Sequence, residues 1–369
     1  MKPTLFDVFP TPKYLAPPAL GIDISDEGIK YVELLRKRGG LELGRFGEKH
    51  FEEGVIESGV IKQPQTVRDA LRDIHKELKL RTAFVSIMEG QGYSLRLKVA
   101  VTKIEEVRGA IELQLEEHVP LKPSEIVFDY DIISTPTTTA PYFVVSVSAL
   151  PQSIVENYFD VVTESEFEPL AFEIESSAIA RAVVPHAVDH PVLIVDMGRL
   201  RTSAAVAANG VLGFSATIPI GGEHCTRIIQ KVKNSSHEEA EQLKVEKGVI
   251  RTGGPDDLFD YCAPLLSALK EEIAKHITFW ETHAYESGEV REKIQHIFLA
   301  GGAANLLGLP EYLAFNLHLS VTSGNPWVNA TSFGSVVPQM TLSESLSYST
   351  AIGLALRAFP KGNGFVITT

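Results

Sequence analysis

"GIDISDEGIKYVEL" (residues 21–34) decides how this chain folds. An apolar strand delivers Asp23 to a turn, and a second strand, Ile29 to Leu34, leaves it. Small residues in such a turn let backbone N–H groups approach an anion such as a phosphate. Yet the turn holds Asp26 and Glu27, whose sign is wrong for a phosphate. At an effective dielectric of about 20, each like-charge pair about 4 Å apart costs about 4 kcal/mol.

A second stretch follows the same plan. "LIVDMGRLRTSAAV" (193–206) reads as apolar strand, Asp196, short turn and strand. The two copies open the two halves of the chain, which predicts two related lobes facing each other. Two strand-end aspartates, Asp23 and Asp196, suit a hydrated Mg²⁺, held by one or two carboxylates with substrate phosphates and water. Ser25 and Lys30 on the first turn, with Gly198 and Thr202 on the second, can cradle phosphates from both sides. The same residues are also ordinary turn formers. The second turn has the opposite charge bias, Arg199 and Arg201 flanking Leu200. Those arginines either contact phosphates or pair with Asp26 and Glu27 across the cleft. Gly221–Gly222 opens a helix and leaves N–H groups for an anion. Gly301–Gly302 ends an apolar strand, where a base or ribose can lie on bare backbone.

The rest of the chain alternates strands and helices. Val67, Leu71, Ile74 and Leu78 form a helical stripe in 63–80. Residues 93–150 read as a strand-rich unit with one helix, the stripe Ile104, Val107, Ile111, Leu115 and Val119, with Thr102 as its cap. Asn209–Gly210 signals a hairpin. Helices are expected over 237–248, 262–286 and 345–359, the last with small residues Ala351, Gly353 and Ala355 for close packing. Residues 1–19, broken by five prolines, read as an extended tail and not a signal peptide.

Bulk properties bound the function. The chain has 369 residues and a net charge of −13, which disfavours a general nucleic-acid binder. No apolar run reaches the roughly 18 residues a bilayer span needs. Cys225 and Cys262 form neither a disulfide framework nor a metal spacing, as in a protein of a reducing cytosol. There is no G-x-S-x-G, HExxH or Walker loop, and no residue stands out as a base for fast hydrolysis. His276 and His283 read as packing or surface residues beside Trp280.

In order, Asp-turn, Asp-turn and strand–Gly-Gly–helix resemble the phosphate-1, phosphate-2 and adenosine elements of the actin-like ATPase superfamily. "KIEEVRGAIELQLEEHVPLKPSEIVFDYDII" (103–133), "IPIGGEHCTRII" (218–229), "EEAEQLK" (238–244), "FLAGGAANLLGLPEYLA" (298–314), "NPW" (325–327) and "AIGLALRAF" (351–359) narrow this to the type IV pilus assembly PilM family, related to the division protein FtsA. The resemblance covers residues 20–360. It implies an α/β, actin-like two-lobed fold of ribonuclease H-like duplicated halves with a small inserted α+β domain, called 1C. The first lobe (1A) would be 20–92 and 151–188, the 1C unit 93–150, and the second lobe 189–369 with a 2B-like insertion at about 226–293.

The resemblance also implies ATP with Mg²⁺ between the lobes, contacted by Asp23, Ser25, Lys30, Asp196, Gly198, Thr202, Gly221, Gly222, Gly301, Gly302 and Asn305. Glu241 and Lys244 match a Glu-x-x-Lys helix face near the ribose, although such a pair is also an ordinary solvated one. It implies a cytoplasmic protein held at the inner membrane by a PilN-type partner, whose N-terminal peptide lies in a 1A/1C groove near 103–119 and 126–133, among other pilus platform proteins. The expected role is a nucleotide-binding scaffold with little or no turnover. A filament former like FtsA or MreB and a sugar or acetate kinase are the alternatives.

Overall fold

The structure is a computed structural model that describes residues 19–37, 40–101, 103–138, 140–208, 211–254, 257–282, 291–330 and 339–359. The tail 1–18, Thr102, Asn209–Gly210, His283 and Ala284 lie outside the described residues.

In chain order the first half contains β1 (Ala19–Ser25), β2 (Gly28–Lys37), β3 (Gly40–His50), the short β4 (Ile56–Glu57) and β5 (Val60–Ile61), α1 (Pro64–Leu78) and β6 (Thr82–Ile87). Next come β7 (Tyr93–Val99), α2 (Val107–His118), β8 (Ile126–Ser134), β9 (Phe143–Pro151), α3 (Gln152–Thr163), β10 (Glu168–Ile174) and α4 (Glu175–Val183). The second half contains β11 (Val192–Met197), β12 (Thr202–Ala208), β13 (Val211–Ile218), α5 (Gly222–Lys233), α6 (His237–Lys247) and α7 (Leu258–Thr282). It closes with β14 (His296–Ala300), α8 (Leu309–Leu317), β15 (Ser320–Ser323), α9 (Leu342–Leu346) and α10 (Ser349–Leu356).

Two five-stranded sheets repeat one topology. Their orders are β3-β2-β1-β6-β10 and β13-β12-β11-β14-β15. In each, an antiparallel meander of three strands adjoins a parallel trio. Asp23 and Asp196 occupy the C-terminal ends of β1 and β11, the first strand of each meander. The self-similarity of two short sequence stretches is thus a duplicated half. A third sheet, β7-β9-β8, carries α2 on one face and has its own core of Leu97, Val99, Val107, Ile111, Leu115, Phe143, Val145 and Val147.

Local sequence explains most elements. Val67, Leu71, Ile74 and Leu78 are all buried, and Pro64 occupies the first turn of α1, where its missing N–H costs nothing. Two elements depart from expectation. Ile104 is 55 % exposed, because a 3₁₀ turn over Ile104–Glu106 precedes α2 and rotates that residue off the stripe. The closing helix is split into α9 and α10. Ser345, Ser347 and Ser349 each donate a hydroxyl to a carbonyl three residues earlier, which competes with regular helix at the break.

Helix α10 is buried at every position and lies against β1, β2 and α4. The second half therefore lends its last helix to the first sheet. Contact is backbone to backbone: a Cβ at Gly353 would stand 1.8 Å from the Ala178 carbonyl oxygen, and one at Gly21 would stand 2.1 Å from that of Ala351. Gly353→Ala should destabilise the fold by about 3 kcal/mol or more, since rigid backbone must move. Chemical denaturation checks this, and a wild-type midpoint would contradict it.

Candidate functional site: a cleft lined by carboxylates and clasped by two loops

The parallel trio β1, β6 and β10 presents a carboxylate at or just beyond each C-terminal end. Asp23 lies in the last three residues of β1, Glu89 follows β6 and Glu175 opens α4 directly after β10. Asp196 approaches from the second lobe. All of Asp23, Glu89 and Glu175 are buried, and Asp196 is partly so. Asp23 accepts a 2.8 Å hydrogen bond from the Ser86 hydroxyl, which itself accepts one from the Ile24 N–H at 2.9 Å. Glu175 accepts from the Glu89 N–H (3.1 Å), and Glu89 accepts from the Ser176 N–H (3.2 Å).

The charges work against one another. Burial raises the pKa of Asp196 to about 7, and the Asp23 carboxylate adds to the rise while Lys30 opposes it. Burial likewise raises Glu175 well above its ordinary value, with repulsion from Asp23 and Asp196. Burial raises Asp23, against the Ser86 hydrogen bond and the Lys30 charge. Lys30 pairs with Asp23 across β1–β2, and its amine lies 5.8 Å from the Tyr348 ring centre. A dication would relieve this repulsion, and the carboxylate donors fit one. Among the described residues no three such side chains converge to ligate an ion directly.

The two turns grip each other. Asp26 accepts N–H bonds from Ser58 and Gly59 at 3.1 Å each and pairs with the Arg201 guanidinium. Arg201 also contacts the Met88 sulfur. Glu27 accepts from the backbone N–H of Arg199 at 2.9 Å. The Arg199 side chain points elsewhere, to Glu223 at 3.5 Å. Burial pushes the Glu223 carboxyl up, but His237, Arg227 and Arg199 outweigh it and hold it below the ordinary range.

Ser25 bridges its own turn, its hydroxyl 3.4 Å from the Gly28 carbonyl. Thr202 is fully buried, with its hydroxyl donating to the Ile220 carbonyl at 2.6 Å. The N–H groups opening α5 are not left for an anion. Gly222 donates to the Gly198 carbonyl (3.0 Å), Glu223 to that of Arg199 (2.8 Å), and His224 to that of Gly221 (3.1 Å). Gly221 allows this approach, for a Cβ there would stand 2.4 Å from the Arg199 carbonyl oxygen. Lys244 binds Glu241 (2.7 Å) and the Thr226 hydroxyl (2.9 Å), so this pair anchors α6 to α5. Gly301, at φ +82°, would drive a Cβ to 2.5 Å from the Asp196 carboxylate, which seats the Gly301–Gly302 turn directly beside it. Asn305 ties that turn to α9 through the carbonyl and hydroxyl of Ser343. His276 packs on Phe214, and burial lowers its pKa.

Sequence reasoning did not single out Glu89, Glu175, Ser86 or Glu223. A usable signal existed for the first two: each follows an apolar strand, and the ends of parallel strands gather on one sheet edge.

Two lobes with matching five-stranded sheets, an inserted three-stranded unit and facing strand-end aspartates define the actin-like fold. The structure of a PilM–PilN type IV pilus biogenesis complex superposes with a TM-score of 0.74 at 20% identity, covering 93% of this chain and 98% of that one. MreB 5 of Spiroplasma citri bound to AMPPNP superposes with a TM-score of 0.53 at 13% identity, covering 91% and 94%. The family model for type IV pilus assembly protein PilM matches residues 21–359, and the chain belongs to that family. The cell division protein FtsA of Rhizobium meliloti is 26% identical over 192 residues, 47% of this chain and 42% of the relative. The chain thus spans less than half the length of that curated relative.

Proposed function

We propose that this chain is the actin-like scaffold of a type IV pilus assembly platform, binding the N-terminal cytoplasmic peptide of a PilN-type inner-membrane partner between the first lobe and the inserted unit. The carrying observation is the family match along 21–359, supported by whole-chain likeness to a PilM–PilN complex. No helix among the described residues is long and apolar enough to cross a membrane, so a partner would hold the protein at the inner membrane. We assign 20–92 and 151–188 to 1A, 93–150 to 1C, and 189–369 to the second lobe.

The peptide chemistry follows from β8. It pairs with β9 alone among the described strands, so its outer edge is available to an extended chain. Its α2-facing residues Ile126, Phe128, Tyr130 and Ile132 join the inserted core, while Val127, Asp129 and Asp131 alternate onto the exposed side. Burial raises the Asp131 pKa, with repulsion from Asp129 and opposition from Arg357, just after α10, and Arg181 of α4. An apolar side chain flanked by a basic one fits this groove. Val127→Asp should weaken a fluorescent PilN-type peptide at least about tenfold by adding an unpaired charge, with unchanged far-ultraviolet dichroism. Unchanged affinity would move the groove elsewhere.

Nucleotide is the regulator in this reading. ATP would lie between the Gly301–Gly302 turn, with Glu241, Lys244 and Asn305 beside it, and the two Asp-turns, with Mg²⁺ held through water by Asp23 and Asp196. The same fold carries AMPPNP in MreB 5 of Spiroplasma citri. In the clasped state the backbone donors of the second turn and of α5 are already engaged. Phosphates would have to displace the Asp26–Arg201 pair and the Glu27–Arg199 bond, and Ser25, Lys30, Gly198 and the Gly221–Gly222 turn would then face them.

A further inference from the structure

The two cysteines, 37 positions apart, are brought together by the fold. Cys225 sits in the first turn of α5 and Cys262 in the first turns of α7. Both are free and buried, and their sulfurs are 2.8 Å apart. A disulfide bond is about 2.05 Å long, so an approach of less than about 1 Å would close it. We propose that Cys225 and Cys262 form a reversible dithiol–disulfide site that locks the glycine turn of the second lobe.

The chemistry balances with a low-molecular-weight disulfide of the glutathione type as oxidant. The Cys262 thiolate attacks one sulfur of the reagent and expels one thiol. Cys225, losing its proton, attacks the Cys262 sulfur and expels the second. The protein loses two electrons and two protons, and the reagent disulfide becomes two thiols. Either thiol can donate the hydrogen bond that joins the pair, and the exchange balances whichever sulfur attacks first. Access comes from α7. Pro264 lies inside that helix and cannot supply the N–H that would bond the Asp260 carbonyl, so the turn bearing Cys262 opens more readily than the helix behind it.

The consequence reaches the cleft. The turn that carries Cys225 is the one whose Gly222 and Glu223 N–H groups hold the carbonyls of Gly198 and Arg199. Joining it covalently to α7 fixes the second Asp-turn in place. Intracellular disulfides are rare and mostly transient or redox-sensing, which suits such a lock.

The test treats the full chain with glutathione disulfide or with reduced glutathione, then denatures and alkylates it. The expected result after oxidation is a mass lower by two hydrogens, a Cys225–Cys262 cross-linked peptide, no alkylated cysteine and a raised unfolding midpoint, all reversed by reduced glutathione. Cys225→Ala should instead leave a glutathione adduct on Cys262. Full alkylation of both thiols after oxidation of the wild type, or glutathione adducts without a cross-link, would overturn the proposal and leave two core thiols.

Discussion

Asp196→Asn should raise the unfolding temperature at pH 8 and at the same time abolish Mg²⁺-dependent ATP binding. Asp196 has a folded pKa of about 7 against an ordinary 3.8. The folded chain therefore keeps a proton that the unfolded chain has released across that interval. Stability from this group is fully present below about pH 3.8 and falls as pH rises through 7, by up to ~1.4 kcal/mol per unit. Asparagine is neutral throughout, so the variant should exceed wild type by about 2–4 kcal/mol at pH 8, with the gain shrinking toward pH 5. Burial raises Asp23 and Glu175 as well, with repulsion from neighbouring carboxylates adding to it, which steepens the slope. Saturating Mg-ATP should reverse the ranking, because a ligand stabilises only the state that binds it. Thermal scans at pH 5 and 8, with and without Mg-ATP, check this. A variant less stable than wild type at pH 8 without ligand would refute the crowding.

Asp26→Asn should bind Mg-ATP at least about tenfold more tightly than wild type. The Asp26 carboxylate accepts two backbone N–H bonds and the Arg201 guanidinium, and hydrogen bonds to a charged group contribute about 1.5–3 kcal/mol each. If phosphates must break this clasp, weakening it transfers that free energy to binding. The unliganded variant should lose about 1–3 kcal/mol of stability for the same reason. Calorimetric titration measures both effects. Equal affinities would mean that the clasp and the nucleotide site are separate.

The duplicated halves were legible because a buried strand ending in aspartate leaves a pattern in 14 residues, "GIDISDEGIKYVEL", and "LIVDMGRLRT" repeats its plan. The stripe of α1 was legible because its period survives burial. What the sequence concealed was side-chain choice among near-equivalent partners. Arg199 and Arg201 stand two positions apart with the same charge, yet one guanidinium meets Asp26 and the other Glu223. Only the geometry of α5 separates them. Gly221–Gly222 read as a ready anion site, but the close approach that glycine permits brought the chain's own carbonyls to those N–H groups. Glu89 and Glu175 join Asp23 only after β1, β6 and β10 align in parallel. The cysteine pair gave no local signal, since 37 positions of chain separate the partners.

Under the proposed function, Asp26 and Glu27 of the opening turn would hold the cleft closed until a ligand displaces them, and the inserted unit would receive the partner. The most direct measurement titrates a fluorescent N-terminal peptide of a PilN-type protein into the full chain, with and without Mg-ATP. The account predicts saturable binding that Val127→Asp weakens and that changes in affinity when Mg-ATP is added. No binding in either state would contradict it.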